Sequence, residues 1–301
     1  MPVKQIVLVT GAAGLLGRDL VQLLAAQSEV HAIVRQTPAR VVPGVRYHVI
    51  DLGSNWNVGR LPSSVDGVIH LAQSSHFRDV PEKALDVFQV NVATTAKLLD
   101  YAWRANARQF LFASSGGIYG AGGQAFHEDS PTVPPPQLGH YLGSKLSGEV
   151  LVQSYAPHLQ VLVLRFFFIY GPGQNRSMLI PRLIDSVAAG RAVVLQGPDG
   201  IRMNPIHVSD ASGALIAALG TGDSATYNVA GSEVLSLRSI AETIGIAVGR
   251  APVFDISPPG GQDMVADNRA MRECLYEPRV PFTVGIASMT KLESDKTTLA
   301  G

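Results

Sequence analysis

The sequence predicts an α/β fold, a doubly wound parallel sheet with a smaller C-terminal α/β lobe. Short apolar runs rich in β-branched residues alternate with segments of helical periodicity up to about residue 170. The first run, Lys4-Gln5-Ile6-Val7-Leu8-Val9, leads into Thr10-Gly11-Ala12-Ala13-Gly14-Leu15-Leu16-Gly17. Leu20, Leu23 and Leu24 then supply a helical apolar face. From about Gly171 the pattern changes: Pro172, Pro181, Pro198, Pro205, Pro252 and Pro281 punctuate shorter helices and irregular strands.

The elements follow in order. After the first strand–turn–helix come Glu29–Arg35 and Val45–Ile50 as second and third strands, the third running into Asp51-Leu52. Gly67–Ala72 reads as a fourth strand, and one long helix is expected from about Pro81 to Arg104, carrying Asn91. Gln109–Ser115 gives a fifth strand, Tyr141–Tyr155 a helix, and Val161–Phe166 a sixth strand. At 301 residues the chain accommodates a main domain over 1–171 and a lobe over 172–301, with parts around 205–231 free to rejoin the main domain. The tail from about Thr290 is polar and reads as frayed.

Composition narrows the classes of function. With 24 basic and 24 acidic residues the chain lacks the charge expected for binding nucleic acid or an anionic membrane surface. The one cysteine, Cys274, excludes an internal disulfide and a cysteine-based zinc cage, and no other metal set is read. The N-terminal apolar run is too short for a signal or membrane segment. A soluble protein of a reducing, cytoplasmic compartment is expected.

In doubly wound sheets ligands bind beyond the carboxyl ends of the strands. Thr10-Gly11, Arg35, Asp51, Leu71-Ala72, Ser115 and the segment after Arg165 all fall at such ends. The glycine spacing suits a tight turn that lets the backbone approach a pyrophosphate at a helix N-terminus. Tyr141 and Lys145, four residues apart, lie on one helix face. A free phenol, with a pKa of about 10, is a poor base, and a neighbouring ammonium favours its ionised form. Ser115 would hold the oxygen whose proton moves. By itself the Tyr–Lys spacing also fits a solvated helix face; the glycine turn is what tips the balance.

Together Gly11-Ala12-Ala13-Gly14-Leu15-Leu16-Gly17, Asp51-Leu52, His70-Leu71-Ala72, Asn91, Ser115-Gly116-Gly117-Ile118-Tyr119-Gly120, Tyr141-x-x-x-Lys145 and Tyr170-Gly171-Pro172 resemble the extended short-chain dehydrogenases/reductases. Within them the chain is similar to the NAD-dependent epimerase/dehydratase family, much of which works on nucleotide sugars. The resemblance implies an NAD(P)-binding Rossmann domain, with Ser115, Tyr141 and Lys145 catalytic. It implies cofactor contacts from Gly11, Ala13, Gly14, Leu15, Leu16, Gly17, Arg35, Asp51, Leu52, Leu71, Ala72, Asn91 and Phe168, besides Tyr141 and Lys145. Asn91 positions a helix or a water, or is a polar residue satisfied locally; the sequence leaves both open. Ser75, Gly116, Arg202 and Asn204 are the residues expected on the substrate side.

Two departures sharpen the expectation. Arg35 stands where NAD-preferring relatives carry an acid for the ribose 2′-hydroxyl. A guanidinium there suits a 2′-phosphate, so NADP(H) is favoured over NAD(H). Gly116-Gly117 replaces the acidic pair of the family's dehydratases, which argues against elimination of water. The leading expectation is a nucleotide-sugar epimerase or 4-ketoreductase, able to form a homodimer. Phe168 and Met203, where diphosphate ligands are expected, keep open a reductase of a non-nucleotide carbonyl compound. A non-catalytic NADP sensor is a third class, disfavoured because a sensor has no use for Ser115, Tyr141 and Lys145 together.

Overall fold

The structure, a computed structural model, describes residues 4–298. Two compact units divide the chain. The first holds the residues up to Gly120, Pro131–Phe166 and Ser212–Tyr227; the second holds Ala121–Ser130, Phe167–Ala211 and the chain from Asn228.

In the first unit β1 (Gln5–Thr10) leads into α1 (Leu15–Leu24), β2 (Ser28–Val34) and β3 (Val45–Val49). Next come β4 (Gly67–His70), α2 (Ala84–Phe88), α3 (Thr94–Arg104) and β5 (Gln109–Ser115). The helix α4 (Pro135–Ser154) and strand β6 (Gln160–Phe166) complete it. Joined by strand Ala225–Val229, they form a seven-stranded sheet in the order 225–229, β6, β5, β4, β1, β2, β3. Every pairing among β1 to β6 is parallel. The order reverses between β1 and β4, the switch point where such sheets open a crevice at their carboxyl ends. The apolar strands are buried on both faces. Leu8, Val68, Leu98, Leu99 and Phe110 are fully inaccessible, and trimming one of them to alanine costs about 2–5 kcal/mol.

The expected long helix over 81–104 is instead broken. A single π turn, Gln89–Ala93, separates α2 from α3 and turns Asn91 inward. In α4, Gly139 has φ 65° and ψ 175°, so Pro135–Leu138 forms a separate turn. Regular helix starts just before Tyr141, which places that residue in a first turn, where the helix dipole is positive.

The second unit packs helices Leu179–Ala188, Leu237–Val248 and the N-terminal part of Phe282–Thr298 around Tyr170, Leu195, Met203, Ile240 and Ile244. Two-stranded pairs supplement them: 193–196 with 254–257 in parallel and 202–203 with 235–236 antiparallel. The tail expected to fray from about Thr290 continues as helix to Thr298.

Candidate active site

The cleft at the switch point lies wholly in the first unit. It measures about 280 Å³ and is lined from the glycine turn through Arg35, Asp51 and Leu52 to Leu71, Ala72 and Gln73. The turn has this shape because two of its glycines leave no room for a side chain. Gly11 has φ +68°, and a Cβ on it would come within 2.8 Å of the Ala72 backbone nitrogen. A Cβ on Gly17 would lie 2.2 Å from the Gly11 carbonyl oxygen. Gly14 caps α1 with no side-chain hydrogen bond, so the helix offers its first-turn N–H groups and its positive end to an anion.

Of the residues assigned to the cofactor, Gly11, Ala13, Gly14, Arg35, Asp51, Leu52, Leu71 and Ala72 line the cleft. Leu16 and Gly17 are buried and support the turn by packing, while Leu15 is its half-exposed first helical residue. Asn91 does not line it. Buried, it donates from Nδ2 to Ser144 Oγ at 2.9 Å and accepts from the Ser74 N–H at 2.8 Å. Its place is that of a brace between the β4–α2 segment and α4. Phe168 sits in the second unit, packed against that unit's core with φ 43°. Together, the uncapped helix end, the glycine turn and a guanidinium at the far end fit a dinucleotide.

At the exposed end Arg35 Nη1 donates to Ser75 Oγ at 3.3 Å. Ser75, expected on the substrate side, therefore lies beside the arginine, inside the same cleft. Asp51 uses Oδ1 to accept from the Gly53 N–H at 3.0 Å, and Asp86, unnoticed in the sequence, lines the cleft and takes a short hydrogen bond from Ser74 Oγ.

Ser115 ends β5, while Tyr141 and Lys145 lie one turn apart on α4. Ser115 caps a short 3-10 turn, accepting from the Gly117 N–H at 3.2 Å. A Cβ on Gly117 would stand 2.9 Å from Leu142 Cδ2 and 3.3 Å from Ser115 Oγ, so a side chain there would press on the residue after Tyr141. Gly116 is buried at the start of that turn. The half-buried Tyr141 donates its phenol proton to Gln73 Oε1 at 3.0 Å, and Phe77 tilts against its ring at 5.1 Å. Burial pushes the phenol up to about 12. Lys145 is buried and donates from Nζ to the Ala113 carbonyl at 2.9 Å, with Phe112 beneath it at 5.5 Å. Burial lowers its pKa to about 8, against the opposing pull of Glu149. The expected lowering of the phenol by the ammonium is thus overridden here by desolvation.

Below these residues is a support the sequence reading missed. Arg165 donates from Nε to Glu149 Oε1 at 3.0 Å and from Nη2 to Oε2 at 2.7 Å, and from Nη1 to the Tyr119 hydroxyl. Tyr141, Lys145 and Glu149 repeat every four residues, a spacing that carries the signal. His70, fully buried, bridges Thr10 Oγ1 at 2.7 Å and Thr95 Oγ1 at 2.9 Å. Burial first, and Lys145 second, lower its pKa to about 3, so it is neutral.

The residues expected to hold substrate in the second unit are engaged elsewhere. Arg202 pairs with Asp263 through Nε at 2.8 Å and Nη2 at 2.7 Å. Asn204 is buried, its amide exchanging both hydrogen bonds with the Ala266 backbone at 2.9 and 3.0 Å.

Residues 7–230 match the NAD dependent epimerase/dehydratase family. The chain is 31% identical to the dTDP-glucose 4,6-dehydratase of Streptomyces griseus, covering 93% of this chain and 92% of that protein. It is 30% identical to the GDP-6-deoxy-D-mannose reductase of Pseudomonas aeruginosa, covering 78% of each. The solved structure of MoeE5 in complex with UDP-glucose and NAD superposes with a TM-score of 0.82 at 29% identity, covering 97% of this chain and 99% of that one. The chain therefore belongs to the NAD-dependent epimerase/dehydratase family, enzymes of the extended short-chain dehydrogenase/reductase type.

Proposed function

We propose that this chain transfers hydride at a carbinol or keto carbon of a nucleotide-linked sugar, as an epimerase or 4-ketoreductase, and uses NADP(H) in preference to NAD(H). One observation carries the reading. Within one unit, the glycine turn, Arg35 and the Gln73 carboxamide that receives the Tyr141 phenol all border the same cleft. The UDP-glucose bound by the similar MoeE5 supports a nucleotide sugar as the small-molecule partner. Arg35 with the Ser75 hydroxyl beside it supports a 2′-phosphate, which a guanidinium binds bidentately.

When bound, the nicotinamide supplies or takes up the hydride. Tyr141 gives its proton to the substrate oxygen in reduction and takes it back in oxidation. Ser115 donates a hydrogen bond to that oxygen. The Lys145 ammonium, one helical turn away, reduces the cost of leaving Tyr141 as phenolate, as does the helix N-terminus. Neither Gly116 nor Gly117 supplies the acid a dehydratase needs.

No nucleic-acid or membrane partner is proposed, and cytoplasmic placement is inferred. No helix among the described residues is long and apolar enough to cross a membrane. A homodimer is inferred through the outer faces of α2 and α4, where Leu85 is 84% and Val150 61% exposed. Leu98 and Leu99 are core and take no part in it.

Arg202 held by Asp263 and Asn204 turned inward favour a second reading, reduction of a carbonyl compound without a nucleotide. Purified protein should be given NADPH and a panel of UDP-, GDP- and dTDP-linked sugars and 4-keto sugars. Stoichiometric loss of NADPH identifies a reductase, and interconversion at C4 with retained nicotinamide identifies an epimerase. Turnover of simple carbonyls alone, with no protection by UDP, GDP or dTDP, selects the second reading. Absence of any turnover contradicts both.

A further inference from the structure

We propose that Gln73 is a positioning residue that holds Tyr141 in its proton-bearing form, and so poises the site to deliver a proton to a carbonyl being reduced. The inference rests on the reading of Tyr141 as the proton carrier and selects a direction for it. Gln73 lines the cleft, and its Oε1 receives the phenol proton at 3.0 Å. A carbonyl oxygen accepts and cannot donate. This contact therefore exists with the neutral phenol alone, because an ionised oxygen would face a lone pair at the same distance.

Gln73 is also held in place on both sides. The Ala72 N–H before it donates to Thr10 Oγ1 at 3.1 Å, and the Ser74 N–H after it donates to the buried Asn91 at 2.8 Å. Ser74 Oγ is fixed in turn by Asp86. The backbone carrying the carboxamide is thus tied to the β1 end and to the π turn, while Phe77 from the same segment lies against the Tyr141 ring. A side chain so placed has a defined target.

The charged and titratable groups around the phenol do not supply this effect. Along α4 are His140, whose Nε2 faces the Ala84 carbonyl at 3.0 Å, then Lys145 and Glu149 one and two turns on. From the β4–α2 segment come Arg78, stacked over Phe77 at 5.0 Å, and Asp86, engaged by Ser74. From β5 comes the neutral Ser115 hydroxyl. Lys145 and the helix N-terminus both favour the phenolate. Gln73, by contrast, bonds the neutral form directly.

The test is a fluorine NMR titration of substrate-free protein labelled with 3-fluorotyrosine, the Tyr141 signal being identified by its loss in Tyr141→Phe. Gln73→Leu is expected to lower the Tyr141 ionisation by about one unit, the size of one neutral hydrogen bond. Gln73→Glu, which places a carboxylate on the same oxygen, is expected to raise it. The pH limb of kcat for carbonyl reduction, read at saturating NADPH, should move in the same directions. An unmoved Tyr141 signal in both variants overturns the proposal. So does a rise in Gln73→Leu, the result expected if Nε2 faced the oxygen as a donor to phenolate. Because the titration needs no substrate, shifts in a protein without turnover would uphold Gln73 and count against the proposed function, whereas turnover without shifts would do the reverse.

Discussion

Asn91 donates to the hydroxyl of Ser144, the residue immediately before Lys145, and its other amide atom accepts from Ser74, the residue after Gln73. One buried carboxamide thereby joins the two segments that carry the Tyr141 contact. Asn91→Ala would leave the buried Ser74 N–H without its acceptor, at a cost of about 1–3 kcal/mol. The expected result is a lower urea midpoint and a fall in kcat of about tenfold or more through lost alignment. Unaltered kcat in a folded Asn91→Ala protein would deny the brace any role in catalysis.

On the proposed assignment, Arg35 sets the cofactor preference. Arg35→Asp should weaken NADPH binding by about tenfold to a hundredfold, the range of a charge-assisted bidentate contact, and should strengthen NADH binding through the ribose hydroxyl. Titration of both nucleotides by fluorescence checks it. Tighter NADH than NADPH binding by the unaltered protein would contradict the assignment.

Glu149 and Arg165 form a buried pair that also takes in Tyr119. Removing one partner leaves the other charged and dry, so Glu149→Gln should cost about 3–5 kcal/mol. Replacing both, with Glu149→Leu and Arg165→Met together, should recover much of that loss. Chemical denaturation of the two singles and the double measures the coupling. Additive losses would show that the pair is not a unit.

His70 gives the fold a pH dependence. Its folded pKa lies near 3 and its unfolded pKa near 6.5, because burial excludes the charged ring. Between those values the unfolded chain binds the extra proton, so stability falls as pH drops from about 6.5 towards 3 and is fully present above that window. The urea midpoint should therefore decline from pH 7 to pH 5 more steeply in the unaltered protein than in His70→Asn. Parallel declines would mean that His70 does not titrate in this way.

The sheet and the glycine turn were legible because their signals are local. Period, β-branching and glycine spacing act within a few residues, and six strands were placed to within two or three residues. The break in the helix over 81–104 was not legible. A π turn adds one residue to the helical repeat, and the demand for it comes from Ser74 and Ser144, far from Asn91 in sequence. Gln73 was missed for the same reason, its partner lying 68 residues away. The partners of Arg202 and Asn204 were not legible either, since neither Asp263 nor Ala266 is visible from the stretch that contains them.

Tyr141→Phe tests the central claim most directly. With NADPH and a 4-keto nucleotide sugar, the variant should lose kcat by about 10²–10⁴-fold, the usual contribution of a general acid, while NADPH affinity holds. A Tyr141→Phe protein that turns over as fast as the unaltered one would contradict the account.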